Sequence, residues 1–332
     1  MIMRHPTRFS QVPVTLLTLL ALCSGVSNRA TAQTFGISLS ALPGSAATFE
    51  PEVQLRDLEI GSTTLDLRLA KSLPGPLELG AMGRFRSSFG PLGTVAVSAQ
   101  ADVDLEGGFD VGLVGSGALA STGLDATLSI FNRNPGTFSA PSAYTPARPF
   151  YATRTLTSGA GIYLSLGATQ RLGRTVILEA TPALSYLSGT GFGIGLDARL
   201  QFRRLIDQDN GVLLLSGHSG PGEDRGFVAG GLEYQLNRRG LPALSAAALL
   251  GRGATGLKPG FLAKAAGELG RFSYRAELAA EPYRTDTLPY RGSVALGTEL
   301  GSGALGVELG AALANLYDVA PLMLRASYGF RF

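Results

Sequence analysis

Leu322-Met323-Leu324-Arg325-Ala326-Ser327-Tyr328-Gly329-Phe330-Arg331-Phe332 ends the 332-residue chain and decides how the rest is read. One parity carries Leu322, Leu324, Ala326, Tyr328, Phe330 and Phe332. The other carries Met323, Arg325, Ser327, Gly329 and Arg331. Side chains on an extended chain alternate faces with period two. The segment is therefore a strand with one apolar, aromatic face and one polar or small face.

The same alternation recurs upstream. Phe272, Tyr274, Ala276, Leu278 and Ala280 interleave with Ser273, Arg275 and Glu277. Phe192, Ile194, Leu196, Ala198, Leu200 and Phe202 interleave with Asp197, Arg199 and Gln201. Val95 to Leu105 alternates with Ser98, Gln100, Asp102 and Asp104. Helical spacing would scatter these charges around an axis; alternation keeps them on one side. The runs exceed the 5–6 residues usual in soluble sheets and suit the roughly 9–11 residues of a tilted membrane strand. No segment after the N-terminal leader offers the roughly 20 consecutive apolar residues of a spanning helix. Leu241–Leu250 is too short, and Asn315, Asp318 and Pro321 break the stretch from Gly310 to Leu324. Hydrophobic residues are nevertheless 45% of the chain, and only 16% is charged. Lipid admits only helices and closed barrels. The expected fold is thus all-β: a transmembrane antiparallel up-and-down barrel of about 18 strands, with 14–18 compatible with the pattern.

The final strand resembles the C-terminal strand of bacterial outer-membrane β-barrel proteins of the porin-like kind, which ends in Phe after alternating aromatic or apolar residues. That resemblance implies an outer-membrane location, surrounding lipid, and recognition of Tyr328, Phe330 and Phe332 by the barrel assembly machinery. With Phe332 at the periplasmic end, alternate connections are periplasmic and should be tight; the other set should be longer. The spacing agrees. Ile60–Thr63, Ala120–Gly123, Leu269–Phe272 and Gly301–Gly303 are brief, whereas 132–154, 218–226, 251–259 and 283–290 are long.

The N-terminus reads as an export signal. Arg4, His5 and Arg8 precede the apolar run Val12–Cys23, and Ala30-Thr31-Ala32 fits a cleavage site. The expected organisation is a signal peptide over 1–32 and a barrel over 33–332. The whole chain has 28 Lys+Arg against 25 Asp+Glu. Loss of Arg4, Arg8 and Arg29 with the leader leaves 25 against 25, so the pI of 9.1 is no sign of nucleic-acid binding. The single cysteine, Cys23, lies in the leader, which excludes disulfides and thiol chemistry from the exported chain.

The candidate pore lining is the polar parity: Arg84, Arg86, Asp102, Asp104, Asp197, Arg199, Arg275, Glu277, Glu308 and Arg325. The signs are mixed, so cross-strand ion pairs along a solvated wall are expected rather than a ring of one charge. The loop 132–154, with four prolines and Phe138, Tyr144, Phe150 and Tyr151, is a candidate to fold into the pore or to lie over its rim. His218 and Ser219 are adjacent. On an extended chain they point apart, which argues against a hydrolytic pair. One histidine after the leader cannot build a typical transition-metal site, so no metal and no cofactor is expected. Gly189, Gly191, Gly193 and Gly195 are spaced by two and lack the strand-to-helix context of a phosphate loop.

A barrel of 16–18 strands leaves an aqueous channel unless something fills it. The expected function is a porin-like, weakly selective diffusion channel for small hydrophilic solutes, with a homo-oligomer compatible and no enzymatic role. The competing expectations are a structural or surface-anchoring barrel and, more remotely, a lipid hydrolase. Large inward side chains packed shut would favour the structural barrel.

Overall fold

In the computed structural model the described residues are 30–41, 48–60, 63–71, 77–88, 90, 93–132, 160–189, 191–206, 208–220, 226–238, 240–285, 288–301, 303–313 and 322–330. They form one antiparallel sheet of 18 strands. The first nine are β1 (Ala30–Ala41), β2 (Thr48–Ile60), β3 (Thr63–Lys71), β4 (Leu77–Ser88), β5 (Thr94–Asp104), β6 (Phe109–Leu119), β7 (Thr122–Phe131), β8 (Gly161–Leu172) and β9 (Val176–Leu187). The second nine are β10 (Gly191–Ile206), β11 (Asp209–Ser219), β12 (Phe227–Leu236), β13 (Ala243–Gly253), β14 (Gly256–Leu269), β15 (Phe272–Ala280), β16 (Tyr290–Leu300), β17 (Gly303–Leu313) and β18 (Leu322–Phe330). Each strand pairs with its neighbour in sequence. β1 pairs both with β2 and, from Gln33 opposite Phe330 to Ala41 opposite Leu322, with β18. The ladder thus returns to its start, and no described strand is left with an unpaired edge. No described helix is long and apolar enough to cross a membrane.

The strand count is the expected one. β1 begins at Ala30, ahead of the expected start at 34, although its pairing with β18 begins only at Gln33. β11, expected over 211–217, runs from Asp209 to Ser219. Phe332 lies outside the described residues, as does nearly all of the 132–154 loop.

Connections sort by end as the alternation requires. At the end where β18 finishes, the chain passes directly from Ile60 to Thr63, Leu119 to Thr122, Leu172 to Val176, Leu269 to Phe272 and Leu300 to Gly303. Ala120 adopts φ 53° in one of these turns, a conformation rare for a residue with a Cβ. The other end carries the long link from Phe131 to Gly161 and those from Ser219 to Phe227, Ala280 to Tyr290 and Leu313 to Leu322. Short connections also occur at the loop end: Gly253 to Gly256, where a longer link was expected over 251–259, and Leu187 to Gly191 and Asp104 to Phe109.

Register and burial together identify the faces. Ile162, Leu166, Leu184, Ile194, Leu213, Val228, Leu232, Leu250, Leu278 and Val294 are all exposed, Leu232 at 66% and Phe192 at 79%. An apolar surface of this extent in water would be an aggregation or interaction site. Here it forms a belt around the strands, as lipid requires. The opposite parity holds the buried polar residues Glu78, Ser129, Ser165, His218, Glu233, Arg291 and Ser293.

Candidate functional site

The inner wall is built by residues of one parity, placed side by side by the register. On β3 and β4, Thr64 lies opposite Arg84, and Arg84 reaches diagonally to the Asp66 carboxylate at 2.6 Å. Arg86 stands one inward position further, with Ser98 and Ser116 from the next two strands around the same niche. Asp102 lies opposite Gly80, so a Cβ at Gly80 would collide with its carboxylate. Asp104 does something different. Its Oδ1 accepts the backbone N–H groups of Glu106 and Gly108, both at 2.8 Å, and so closes the turn into β6. Short Asp side chains favour this local bond to backbone donors.

Further around the wall, Arg199 on β10 donates to Glu233 on β12 at 2.9 Å, spanning the intervening strand. Asp197 lies opposite Thr181 on one side and Ser216 on the other. Glu277 lies opposite Lys264, and Arg275 approaches it along the strand at 3.8 Å. Glu308 lies opposite Arg325. Positive and negative groups thus alternate at short range, and exposed pairs of this kind do more to wet and orient than to stabilise.

His218 is buried on the inner face, its ring 6.3 Å from Phe227, while Ser219 is exposed on the outer parity. The two point apart, as an extended strand dictates. Among the described residues there is no cluster of His, Cys, Asp and Glu able to hold a metal ion.

Two features were not legible beforehand. The inner face is not polar throughout. Phe131, Tyr163, Ala183 and Leu187 form one buried apolar cluster, at the loop ends of β7, β8 and β9. Phe227, Ala229 and Tyr283 form another, with Leu249 packed against it. Tyr283 belongs to no strand. It comes from the connection between β15 and β16, which turns inward instead of standing over the rim.

That connection is held by charge and by shape. The Glu281 carboxylate accepts hydrogen bonds from Arg291 on β16 and from the Tyr283 hydroxyl at 3.2 Å, and Arg284 lies 3.5 Å away. Arg291 also donates to the Leu288 carbonyl at 2.6 Å, and the Glu281 N–H to the Pro289 carbonyl at 2.8 Å. The Arg284 guanidinium stacks 4.8 Å above the Phe227 ring. Thr255, in the turn between β13 and β14, donates to the Pro282 carbonyl at 3.0 Å. Burial pushes the Glu281 carboxyl up, but Arg284 and Arg291 outweigh it, and the net pKa lies below the usual carboxylate range. Burial, with Glu281 beside it, pushes the Tyr283 hydroxyl well above its ordinary value.

The shape term comes from glycines. Gly251 and Gly253 occupy successive inward positions of β13, and Gly260 on β14 lies opposite Leu249. A Cβ at Gly251 would strike the Tyr283 ring, one at Gly253 the Tyr283 carbonyl, and one at Gly260 would come within 2.8 Å of Tyr283 Cε1. The wall is hollowed where the ring sits. Below it lies a cavity of about 300 Å³, bounded by Glu281, Tyr283 and Arg284 above and by Asp197, Arg199 and Lys264 among the wall residues.

No family model and no curated protein matches this chain. Solved structures do. The chain aligns over 91% of its length with 95% of Pseudomonas aeruginosa OpdO, at 13% identity and a TM-score of 0.55. It aligns over 90% of its length with 97% of Pseudomonas aeruginosa OccK10 (OpdN), at 13% identity and a TM-score of 0.50. A mutant of the Rh. blastica porin covers 91% and 98% at 10% identity, with a TM-score of 0.46, too low to build on. The fold is a porin-like β-barrel. At these identities the likeness extends to the architecture. The role of the porin-like barrel rests on its own wall.

Proposed function

We propose that the protein is a weakly selective diffusion channel for small hydrophilic solutes. The observation that supports this most is the pairing of opposite charges along the inner wall: Arg84 with Asp66, Arg199 with Glu233, Lys264 opposite Glu277, and Glu308 opposite Arg325. A wall of alternating sign carries water and offers no extended field to exclude either ion. Arg86, Asp102 and Asp197 line the same path in this reading, and Asp104 serves the turn. The barrel is delivered as residues 33–332 after removal of the leader, with Tyr328, Phe330 and Phe332 read by the assembly machinery. The test is single-channel recording in planar bilayers under a salt gradient. Stepwise conductance with a reversal potential near zero is expected. A folded, heat-modifiable barrel that never conducts would favour the structural alternative.

A further inference from the structure

The inturned connection deepens that channel reading, on which it rests. We propose that the strap comprising Glu281–Thr285 and Leu288–Pro289 sets the size limit of the channel, with Tyr283 as the anchor that seats it against the wall.

Three independent observations carry the assignment. The first is position. Tyr283 packs on Phe227, ring centroids 5.8 Å apart, and over the glycine hollow of β13 and β14, all of inward parity. The strap therefore lies within the ring of strands and takes cross-section from the lumen. The second is rigidity. Tyr283 is 1% exposed, its hydroxyl and both flanking arginines converge on one carboxylate, and Thr255 ties the strap to a turn on a different hairpin. A loop without these ties would be displaced by any solute that touched it. The third is continuity with the path. Glu281, Tyr283 and Arg284 bound the same cavity as Asp125 on β7 and Glu179 on β9, so a solute in that cavity has the strap on one side and the far wall on the other.

The roles divide accordingly. Tyr283 seats the strap by filling the glycine hollow of the wall. Glu281, Arg284 and Arg291 are positioning residues that hold it against the hollow. The hollow itself keeps the ring from protruding further: with alanine at Gly251 and Gly260, the strap would have to stand off the wall. The 132–154 loop, a candidate to fold into the pore or to lie over its rim, lies almost wholly outside the described residues; among those described, the connection between β15 and β16 turns inward.

The experiment uses the full barrel, wild type and the variants Tyr283→Ala and Glu281→Gln. Folding is checked by heat-modifiable gel mobility. Single-channel conductance is then read with poly(ethylene glycol)s of graded size. Tyr283→Ala should give a larger conductance step and shift the exclusion limit to larger polymers. Glu281→Gln should give a fluctuating step, because the ring remains but its clamp is weakened. If the wild type conducts and folded Tyr283→Ala shows the same step and the same limit, the strap assignment is wrong and the channel reading stands. If the wild type is silent and Tyr283→Ala conducts, the strap closes the barrel entirely, and the channel reading falls while the assignment survives. If neither conducts, both fall.

Discussion

Two ion-pair sites on the inner wall differ in what covers them. On β3 and β4, Arg84 and Asp66 pair in the open, Arg84 remaining 42% exposed. On the side of β15 and β16, Arg284 and Arg291 are 1% exposed and share the Glu281 carboxylate beneath a strap. The strand pattern is the same in both regions: apolar outward, polar inward. What differs is whether water or protein covers the inward groups. An ion pair in water is nearly free to rearrange, whereas one in a dry site becomes a structural joint whose removal leaves a charge with nowhere to go.

The sharpest way to break this contrast is Glu281→Ala. It strands two buried guanidinium groups, and a loss of about 3–5 kcal/mol is expected for such an uncompensated site. The loss is read as a lower temperature of the gel-mobility transition. Next comes a change that ignores the lumen and tests the belt. Leu232→Arg places a charge on the lipid side of β12, 66% exposed in the absence of lipid, at an expected cost of about 2–4 kcal/mol near the bilayer midplane. Unfolding in liposomes by urea would measure it. A cost near zero would mean that this face does not meet hydrocarbon. The smallest effect is expected from Arg84→Ala, below about 1 kcal/mol. Should it rival Glu281→Ala, the two sites would not differ as described.

Acid separates the sites as well. The folded-state pKa of Glu281 lies below its ordinary value. The clamp is therefore fully present above about pH 4.3, the unperturbed glutamate value, and is lost only as pH falls through the lower folded value. Conductance should stay level from neutral pH down to that point and change below it, and Glu281→Gln should abolish the change. The groups around the carboxylate are Arg284 and Tyr283 on the strap and Arg291 on β16. Lys258 on β14 and His218 on β11 belong to the neighbouring wall.

Much of this architecture was legible because a strand writes its two faces into alternate letters. Phe192 to Phe202 and Leu322 to Phe330 reveal their outer face without any knowledge of their partners, and the opposition of His218 to Ser219 follows from the same rule. The strap was not legible. Pro282 to Pro289 differs little in composition from any other polar connection, and whether a loop turns in or out depends on the wall it meets. The usable signal lay elsewhere. Gly251 and Gly253 hold successive inward positions on one strand, with Gly260 on the next, at a level where other strands carry large side chains. Three missing side chains on one patch of an inner wall mark a space that something else must occupy. Asp104 has a further role that parity does not show. Parity places it inward, but only the turn at Gly107 and Gly108 shows that its carboxylate is already engaged.

The pairing of β1 with β18 has a bearing on how such a molecule is made. Every other ladder joins strands that are neighbours in sequence and can form as soon as the second of the two exists. This one joins Gln33 to Phe330 and Ala41 to Leu322, so it waits for the last residues to be synthesised. Until then the growing sheet has two open margins, each a row of unsatisfied amides that hydrocarbon will not accept. A chain cut short before β18 is therefore a sheet that cannot close.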